Sequence, residues 1–337
     1  MGTDRQVGFA IVGAGGIAGE HARALSRSTR GRLVSVCDTR LTAAEQLAAP
    51  HGARAVSDLT RVLDDPTVDA VILCTPNRTH VPLGRAVIES GRHLLIEKPL
   101  ALTSPDAEIL VRAAEAADRL LIVGHTHRHS AQAQAIAALV HGGEIGAVRF
   151  VHIVMNGGWL WGGWSSWVLD RGLSGGHALH NGVHLMDLAA WWVGEDPVAV
   201  RAVGQRATSA ALDIHDYLVI DLRFASGAVA RCEVSRAELP RDASFTQLRV
   251  VGDTGTVERR WDADGMQAWT DRGQGGWSPD GAVERSFTAQ LERFIDAVDD
   301  HALAFPPVRD SLAVVRWAEA AEESLATGAS ISTGGRG

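Results

Sequence analysis

The chain has 337 residues and a formal net charge of −8 at neutral pH. This length suggests two domains, and the acidic balance without a block of Lys and Arg argues against nucleic acid or an anionic membrane surface as the main partner. The longest apolar run falls short of the roughly 18 residues that a membrane helix needs. We therefore expect a globular protein with neither a nucleic-acid nor a membrane partner.

The cysteines indicate the compartment. Cys37, Cys74 and Cys232 form no CxxC pair and cannot all be bridged within one chain, which favours buried thiols in a reducing environment. The apolar run 7–12 follows Met1 so closely that it leaves no room for a secretory signal. The sequence predicts a cytoplasmic protein.

The first third of the chain alternates short apolar runs with helical patterns. Strands that are apolar throughout and separated by helices are typical of a parallel sheet covered on both faces. We therefore predict a Rossmann domain, a doubly wound parallel sheet, over residues 1–124. The predicted strands are 7–12, 33–37, 68–74, 93–96 and 120–123, and the predicted helices are 17–27, 42–49, 80–90 and 105–118.

The pattern of predicted elements changes after Gly124, where strands separated by turn residues predominate. Residues 125–337 are predicted to form an α+β domain with a mostly antiparallel sheet. Its predicted helices are 130–141, 179–192, 287–298 and 311–326, and its predicted strands are 148–155, 198–203, 217–224, 228–234 and 247–251.

A glycine-rich motif, Gly13-Ala14-Gly15-Gly16-Ile17-Ala18, separates the first strand from the first helix. Glycines there permit a tight turn and let backbone N–H groups approach a pyrophosphate at the helix N-terminus. Asp38 lies 20 residues after Ala18, where a carboxylate can accept hydrogen bonds from an adenosine ribose. The pattern predicts NAD as the cofactor, while Arg40 leaves NADP possible.

Two further loops leave carboxyl ends of predicted strands and should line the same crevice. One contains Thr75-Pro76-Asn77 and leads to His80, and the other is Glu97-Lys98-Pro99. Pro99 cannot extend the strand before it, so Lys98 should project from the sheet edge. A lysine beside a substrate hydroxyl can act as acid and base while a hydride moves to or from a nicotinamide.

At this point the chain resembles the Gfo/Idh/MocA oxidoreductases. The motifs that carry the resemblance extend over nearly the whole length: residues 13–18, 75–80, Glu97-Lys98-Pro99, 142–146, 174–176 and 182–187. The resemblance implies a C-terminal domain with an open sheet used for contacts in a homodimer or homotetramer. It also implies that Lys98 is catalytic, that Glu97 lies in the cofactor site and that His184 meets the substrate hydroxyl.

One residue departs from the family pattern. Many members have an aspartate where His180 stands, four residues before His184 and therefore on the same helix face. Without that negative charge, either His180 takes over proton transfer or the reaction differs from plain polyol oxidation. A packed or capping histidine is the alternative.

Three further residues are candidates for the substrate pocket. The resemblance places an arginine such as Arg128 and an asparagine such as Asn156 near the substrate of sugar- and inositol-converting members. An ion pair and a strand-end turn are their structural alternatives. Trp164, in the Trp-rich loop 159–167, could stack on a sugar ring or simply pack as a lid or subunit contact.

The predicted function is an NAD(H)-dependent oxidoreductase for a secondary alcohol or ketone of a sugar, cyclitol or related polyol. Transient oxidation, as in NAD-dependent glycosidases, is an alternative, as is a sugar-sensing regulator without a reaction. A metal-dependent hydrolase is the rival class, because His125, His127 and His129 could share one face of an extended strand and bind zinc. That motif lies outside its usual structural context, so we predict no metal site.

Overall fold

The structure is a computed structural model that describes residues 5–158, 167–206, 213–238, 244–259, 265–277, 283–299 and 308–334. The chain divides into two compact units. The first comprises residues 1–129 and 282–312, and the second comprises residues 130–281 and 313–337.

The first unit contains a six-stranded parallel sheet in the order β3-β2-β1-β4-β5-β6, which is the strand order of a Rossmann fold. The central strands are buried along their whole length because helices cover both faces. The predicted fold class is confirmed. The strands are β1 (Val7–Val12), β2 (Gly31–Cys37), β3 (Arg54–Val56), β4 (Ala70–Leu73), β5 (His93–Ile96) and β6 (Leu121–Val123).

Helices connect these strands in the right order for a doubly wound sheet. The start of α5 shows how the sequence sets a boundary: the Thr103 hydroxyl accepts a hydrogen bond from the Asp106 N–H over 3.3 Å, and Pro105 occupies the first turn. The helices are α1 (Gly16–Arg27), α2 (Leu41–Ala48), α3 (Thr60–Leu63), α4 (His80–Glu89) and α5 (Ser104–Ala117).

The second unit contains a nine-stranded sheet in the order β14-β13-β12-β11-β7-β10-β9-β8-β15. All neighbouring strands are antiparallel except the parallel pair β7 and β10, so the sheet is mostly antiparallel, as predicted. Helix α6 (Ala131–His141) precedes the sheet, and α7 (Arg171–Ser174) and α8 (Val183–Val193) lie between its first two strands in the chain. The strands are β7 (Val148–Gly158), β8 (Pro197–Gln205), β9 (Tyr217–Phe224), β10 (Val229–Glu238), β11 (Ser244–Gly252), β12 (Gly255–Arg259), β13 (Met266–Thr270), β14 (Gly273–Trp277) and β15 (Ile331–Ser332).

Two long helices end the chain: α9 (Val283–Asp299) and α10 (Val308–Thr327). Helix α9 belongs to the first unit, where Phe287, Leu291 and Phe294 enter the core around β1 and α1. The rings of Phe294 and Phe9 lie 5.8 Å apart. The predicted domains, residues 1–124 and 125–337, differ from these units, because the apolar face of α9 completes the Rossmann core.

Two general expectations can be compared with the structure. Cys37, Cys74 and Cys232 are all buried and form no disulfide. Within the described ranges, no helix combines the length and apolar character needed to cross a membrane.

Candidate active site

The glycine turn after β1 is tied to the ends of the two strands beside it. The N–H of Gly13 donates to the Cys37 carbonyl over 2.7 Å, and the Cys74 N–H donates to the Val12 carbonyl over 2.7 Å. Gly13 has a φ of +93°, and a Cβ at this position would lie 2.5 Å from the Cys74 carbonyl oxygen. The turn therefore requires glycine.

The start of α1 forms a cradle suited to a pyrophosphate. The helix begins at Gly16, and the capping residue Gly15 provides no side chain to bond the first-turn N–H groups. A Cβ at either glycine would have no atom within 4 Å, so the space above the turn is open. Ile17 is partly exposed beside it, whereas Ala18 is buried against the sheet. These residues fit a dinucleotide phosphate.

Asp38 lies at the end of β2 with its carboxylate close to the glycine turn. Its Oδ2 accepts a hydrogen bond from the Ala14 N–H over 2.8 Å, and its Oδ1 accepts one from the Arg40 N–H over 2.9 Å. The Arg40 guanidinium is largely exposed, with Nε 3.7 Å from Oδ1. The carboxylate is thus positioned at the edge where the ribose of a bound dinucleotide would lie.

The loop after β4 is held by side chains at its two ends. Thr79 Oγ1 donates to the Pro76 carbonyl over 2.7 Å and lies 2.7 Å from Thr75 Oγ1. Asn77 is buried in this loop. The fully buried His80 places Nε2 3.0 Å from the Thr75 carbonyl oxygen.

Lys98 follows β5, at the same edge of the sheet as the glycine turn and the Thr75 loop. It is half-buried, and its peptide bond to Pro99 is cis. His80 Nδ1 lies 2.8 Å from the Pro99 carbonyl oxygen, so His80 connects the two crevice loops. Glu97 is turned into the protein, where its Oε1 lies 2.8 Å from Nε2 of His21.

In the second unit, the histidine segment follows two glycines, Gly175 and Gly176, with φ of +82° and +89°. The predicted helix 179–192 begins instead as a π-helix, Ala178–Gly182, which continues as α8. Short π segments are frequently found at functional sites. Within residues 176–190, which the structure describes in full, only His180 and His184 are partly exposed. That the two histidines face the same way stays a prediction.

Buried polar groups surround this segment on the sheet side. Arg236 of β10 donates to Asn181 Oδ1 over 3.2 Å, and burial lowers the pKa of its guanidinium. Burial and, next, the charge of Arg236 lower the pKa of His177 to about 3. His177 is therefore neutral at physiological pH, and Arg236 places a guanidinium in contact with the segment.

The Trp-rich loop reaches the histidine segment through its last residue. The rings of Trp167 and His180 meet edge to face, with centroids 5.3 Å apart. Trp164 lies outside the described residues.

Asn156 belongs to a polar cluster on the other face of the sheet. Its Nδ2 donates to Glu233 Oε1 over 3.1 Å, and the Tyr217 hydroxyl donates to the same oxygen. Side chains alternate between the two faces of a strand, and β10 presents Glu233 on one face and the Asn181 partner Arg236 on the other. The role of Asn156 in substrate binding stays a prediction.

Arg128 is buried in the first unit, with Nη1 3.9 Å from Asp310 Oδ2 of α10. Residues 126–129 form a 3₁₀ turn, so His125, His127 and His129 do not follow the extended course that the zinc hypothesis required. In the part of the chain that the structure describes, no three His, Cys, Asp or Glu residues are arranged to bind a metal.

Comparison with known proteins agrees with this architecture. Residues 7–125 match the Gfo/Idh/MocA model for an oxidoreductase family with an NAD-binding Rossmann fold, and residues 133–258 match the C-terminal domain of the same family. The chain belongs to the Gfo/Idh/MocA oxidoreductase family. It is an NAD-dependent enzyme of the dehydrogenase type.

Individual relatives within the Gfo/Idh/MocA family match over different lengths. Inositol 2-dehydrogenase 4 of Saccharopolyspora erythraea is 28% identical, over 97% of this chain and 96% of the relative. GenD2 from gentamicin A biosynthesis, solved in complex with NAD, is 30% identical with a TM-score of 0.86, covering 98% of this chain and 97% of GenD2. The 2,7-anhydro-N-acetylneuraminate hydratase of Mediterraneibacter gnavus is 29% identical, over 68% of this chain and 61% of the relative.

Three residues of this Gfo/Idh/MocA chain escaped the sequence analysis: His21, Trp167 and Arg236. His21 lies on the buried, apolar face of α1, whose other residues pack against the sheet. A polar residue at a position predicted to be buried could have indicated that His21 has a buried partner. Arg236 lies at the end of a strand whose pairing partner could not be known from the sequence. Trp167 was one indole among several in the Trp-rich loop.

Proposed function

We propose that this protein is an NAD(H)-dependent dehydrogenase that acts on a secondary alcohol or ketone of a sugar, a cyclitol or a related polyol. The observation that carries the proposal is the position of Lys98. This half-buried ammonium follows β5 at the sheet edge that also carries the glycine turn and Asp38.

In this proposal, the residues described above bind different parts of the cofactor. The glycines at positions 13, 15 and 16 would hold the pyrophosphate, Asp38 the adenosine ribose, and the Thr75 loop the nicotinamide half. Bound NAD supplies a hydride acceptor. Lys98 would take the proton of the substrate hydroxyl during oxidation and return it to the alkoxide during reduction.

His184 and His180 would contact the substrate hydroxyl and relay or orient its proton. This assignment rests on the resemblance to the family and on the shared exposure of the two side chains. An imidazole that titrates near neutrality can serve in either direction of the reaction.

The substrate class is supported by relatives named for inositol and sugar conversion, of which the inositol 2-dehydrogenase of S. erythraea matches over almost the full chain. The resemblance also predicts a homodimer or homotetramer. The cysteine usage, the charge and the apolar runs of the sequence predict a cytoplasmic protein with neither a nucleic-acid nor a membrane partner. Light scattering of the purified protein would determine the oligomer.

A polyol panel tests the proposal. Purified protein is incubated with NAD and a set of inositols, aldoses and sugar acids while absorbance of the reduced cofactor is followed. Lys98→Met should reduce turnover about 10²–10⁴-fold and leave NAD affinity nearly unchanged. Full turnover by Lys98→Met would remove the lysine from the mechanism, and NAD binding without turnover of any panel member would favour the sugar-sensing regulator.

A second candidate is transient oxidation, in which oxidation of one carbon by NAD acidifies the neighbouring C–H, that proton and a leaving group depart, water adds across the new double bond, and the reduced cofactor returns its hydride to the carbonyl. The observation that favours it is His180 in place of the aspartate, together with a relative that is named a hydratase. Product formation without net reduced cofactor, with solvent deuterium entering the adjacent carbon, would support this candidate. Stoichiometric accumulation of reduced cofactor would exclude it.

A further inference from the structure

Glu97, beside the catalytic lysine, is buried against α1. Its carboxylate Oε1 lies 2.8 Å from His21 Nε2, with side-chain exposures of 9% and 1%. The His21 ring packs edge to face on Phe287 at 4.9 Å, which fixes its orientation. On the opposite side, a Cβ at position 124 would lie 3.0 Å from Oε1, so Gly124 provides the space that the carboxylate occupies.

This buried carboxylate is an anion at neutral pH. Burial would raise the pKa of Glu97, but the hydrogen bond with His21, followed by charge interactions with His21 and Lys98, outweighs it and lowers the pKa. The neighbouring His80 has a pKa that burial lowers, which favours its neutral form. The remaining titratable neighbour is the Cys74 thiol, whose pKa is raised by burial and then by the charge of Glu97. A neutral thiol adds no competing charge.

The segment 97–99 is fixed on both sides of Lys98. On one side, the Lys98 N–H donates to Glu97 Oε2 over 3.3 Å, and His21 holds the same carboxylate. On the other side, His80 lies 2.8 Å from the Pro99 carbonyl oxygen. The lysine backbone therefore lies between an anchored anion and an anchored carbonyl.

We propose that Glu97, held by His21, is a positioning residue whose negative charge favours the ammonium form of Lys98. This rests on the proposed function of Lys98 as acid and base. In a chain where His180 replaces the aspartate common in the family, Glu97 supplies negative charge next to the lysine. Removal of this charge should make the neutral, proton-accepting amine available at lower pH.

The composition of the chain allows a direct test. Lys98 is the only lysine among the 32 Lys and Arg residues. Protein labelled with ¹³C at the ε carbon of lysine gives one side-chain resonance, and its titration reports the pKa of Lys98 in the full-length protein without any substrate. The variant Glu97→Gln keeps the size and an acceptor oxygen for His21 while removing the charge.

We expect Glu97→Gln to lower the midpoint of this titration by about 1 pH unit. Glu97→Asp, which keeps the charge, and Glu89→Gln, which removes an exposed charge on α4, should leave the midpoint close to wild type. Glu97→Ala, which removes the charge together with the carboxylate, should shift the midpoint in the same direction as Glu97→Gln and keeps the test valid if Glu97→Gln does not fold.

An unchanged Lys98 midpoint in the folded charge-removing variants would overturn the inference, as would an equal shift in Glu89→Gln. A failed polyol panel would overturn the proposed function and leave this result standing, because the titration needs no turnover. Where a substrate is found, the alkaline-rising limb of the oxidation rate in Glu97→Gln should move to lower pH by the same amount.

Discussion

The main-chain N–H of Ala14 donates to Oδ2 of Asp38 over 2.8 Å, so the glycine turn and the end of β2 share one carboxylate. This carboxylate both shapes the turn and carries the negative charge that disfavours a ribose 2′-phosphate. Cofactor preference can therefore be changed at this residue with little change in shape.

Asp38→Asn removes the charge and keeps an acceptor for Ala14. We expect the ratio of NAD affinity to NADP affinity to fall about tenfold or more, which corresponds to about 1.4 kcal/mol. Titration calorimetry with both cofactors measures the ratio. Adding Arg40→Ala should abolish any gain in NADP affinity, and an unchanged ratio in Asp38→Asn would show that Asp38 does not select the cofactor.

Gly13→Ala should destabilise the first unit by about 3 kcal/mol, because the new Cβ meets the Cys74 carbonyl in a left-handed backbone conformation. Urea unfolding measures the loss. Gly19→Ala in α1 is the matched control, since the nearest atom to its Cβ lies 3.6 Å away and alanine should stabilise the helix by about 0.5–1 kcal/mol. Equal behaviour of the two variants would contradict the prediction.

Gly176→Ala should cost about 1–3 kcal/mol through its φ of +89°. The new Cβ would also lie 2.7 Å from Oε1 of Glu322, whose carboxylate has Arg171 at 3.0 Å. Thermal unfolding measures the effect, with Gly275→Ala as a control at an open position. A wild-type melting temperature for Gly176→Ala would show that the turn before the histidine segment tolerates a side chain.

NAD should protect Lys98 from amine-directed reagents. Because the chain has one lysine, trinitrobenzenesulfonate can modify only Lys98 and the α-amino group. We expect saturating NAD to slow modification of Lys98 by about tenfold or more if the cofactor covers it. Lys98→Arg provides the background rate, and an unprotected Lys98 would place the cofactor away from the lysine.

Glu233→Gln should make the second unit less stable in a pH-dependent manner. His152, followed by Tyr217 and Asn156, lowers the pKa of the Glu233 carboxyl from 4.5 to about 2 against the effect of burial. The Nε2 atom of His152 lies 3.9 Å from Oε2 of Glu233.

Because the folded-state pKa is below the ordinary value, the stabilisation is complete above about pH 4.5 and is lost as the pH falls through about 2. The loss in Glu233→Gln at pH 7 should reach at most about 3 kcal/mol. Urea unfolding between pH 3 and pH 7 should show the difference from wild type shrinking in acid, whereas Glu89→Gln shows little difference. A pH-independent difference would indicate lost packing instead of lost charge.

The parts of the fold that could be predicted are those with strong local signals. The buried strands β1, β4 and β5 and the glycine turn appear as continuous apolar runs and special residues. The short strand β3 and the hairpins β12–β14 were missed, because short strands with mixed polarity carry little local pattern.

Some residues of the candidate site could likewise be predicted from local sequence signals, and others could not. Asp38 and Lys98 could be predicted as site residues because each comes directly after a predicted strand. The hydrogen-bond partner of Glu97 could not be predicted. His21 and Glu97 are 76 residues apart in sequence, and only the packing of α1 on the sheet brings them together. The π-helix at residues 178–182 also had no signal, since its extra residue depends on tertiary contacts.

The return of α9 to the first unit affects how that unit is made. On the ribosome, residues 5–129 emerge long before Phe287, Leu291 and Phe294, which complete the core around β1 and α1. Until then, the nascent Rossmann sheet exposes an apolar surface that the finished protein covers, and such surface is prone to aggregate. The cofactor domain can therefore finish folding only after α9 has been synthesised.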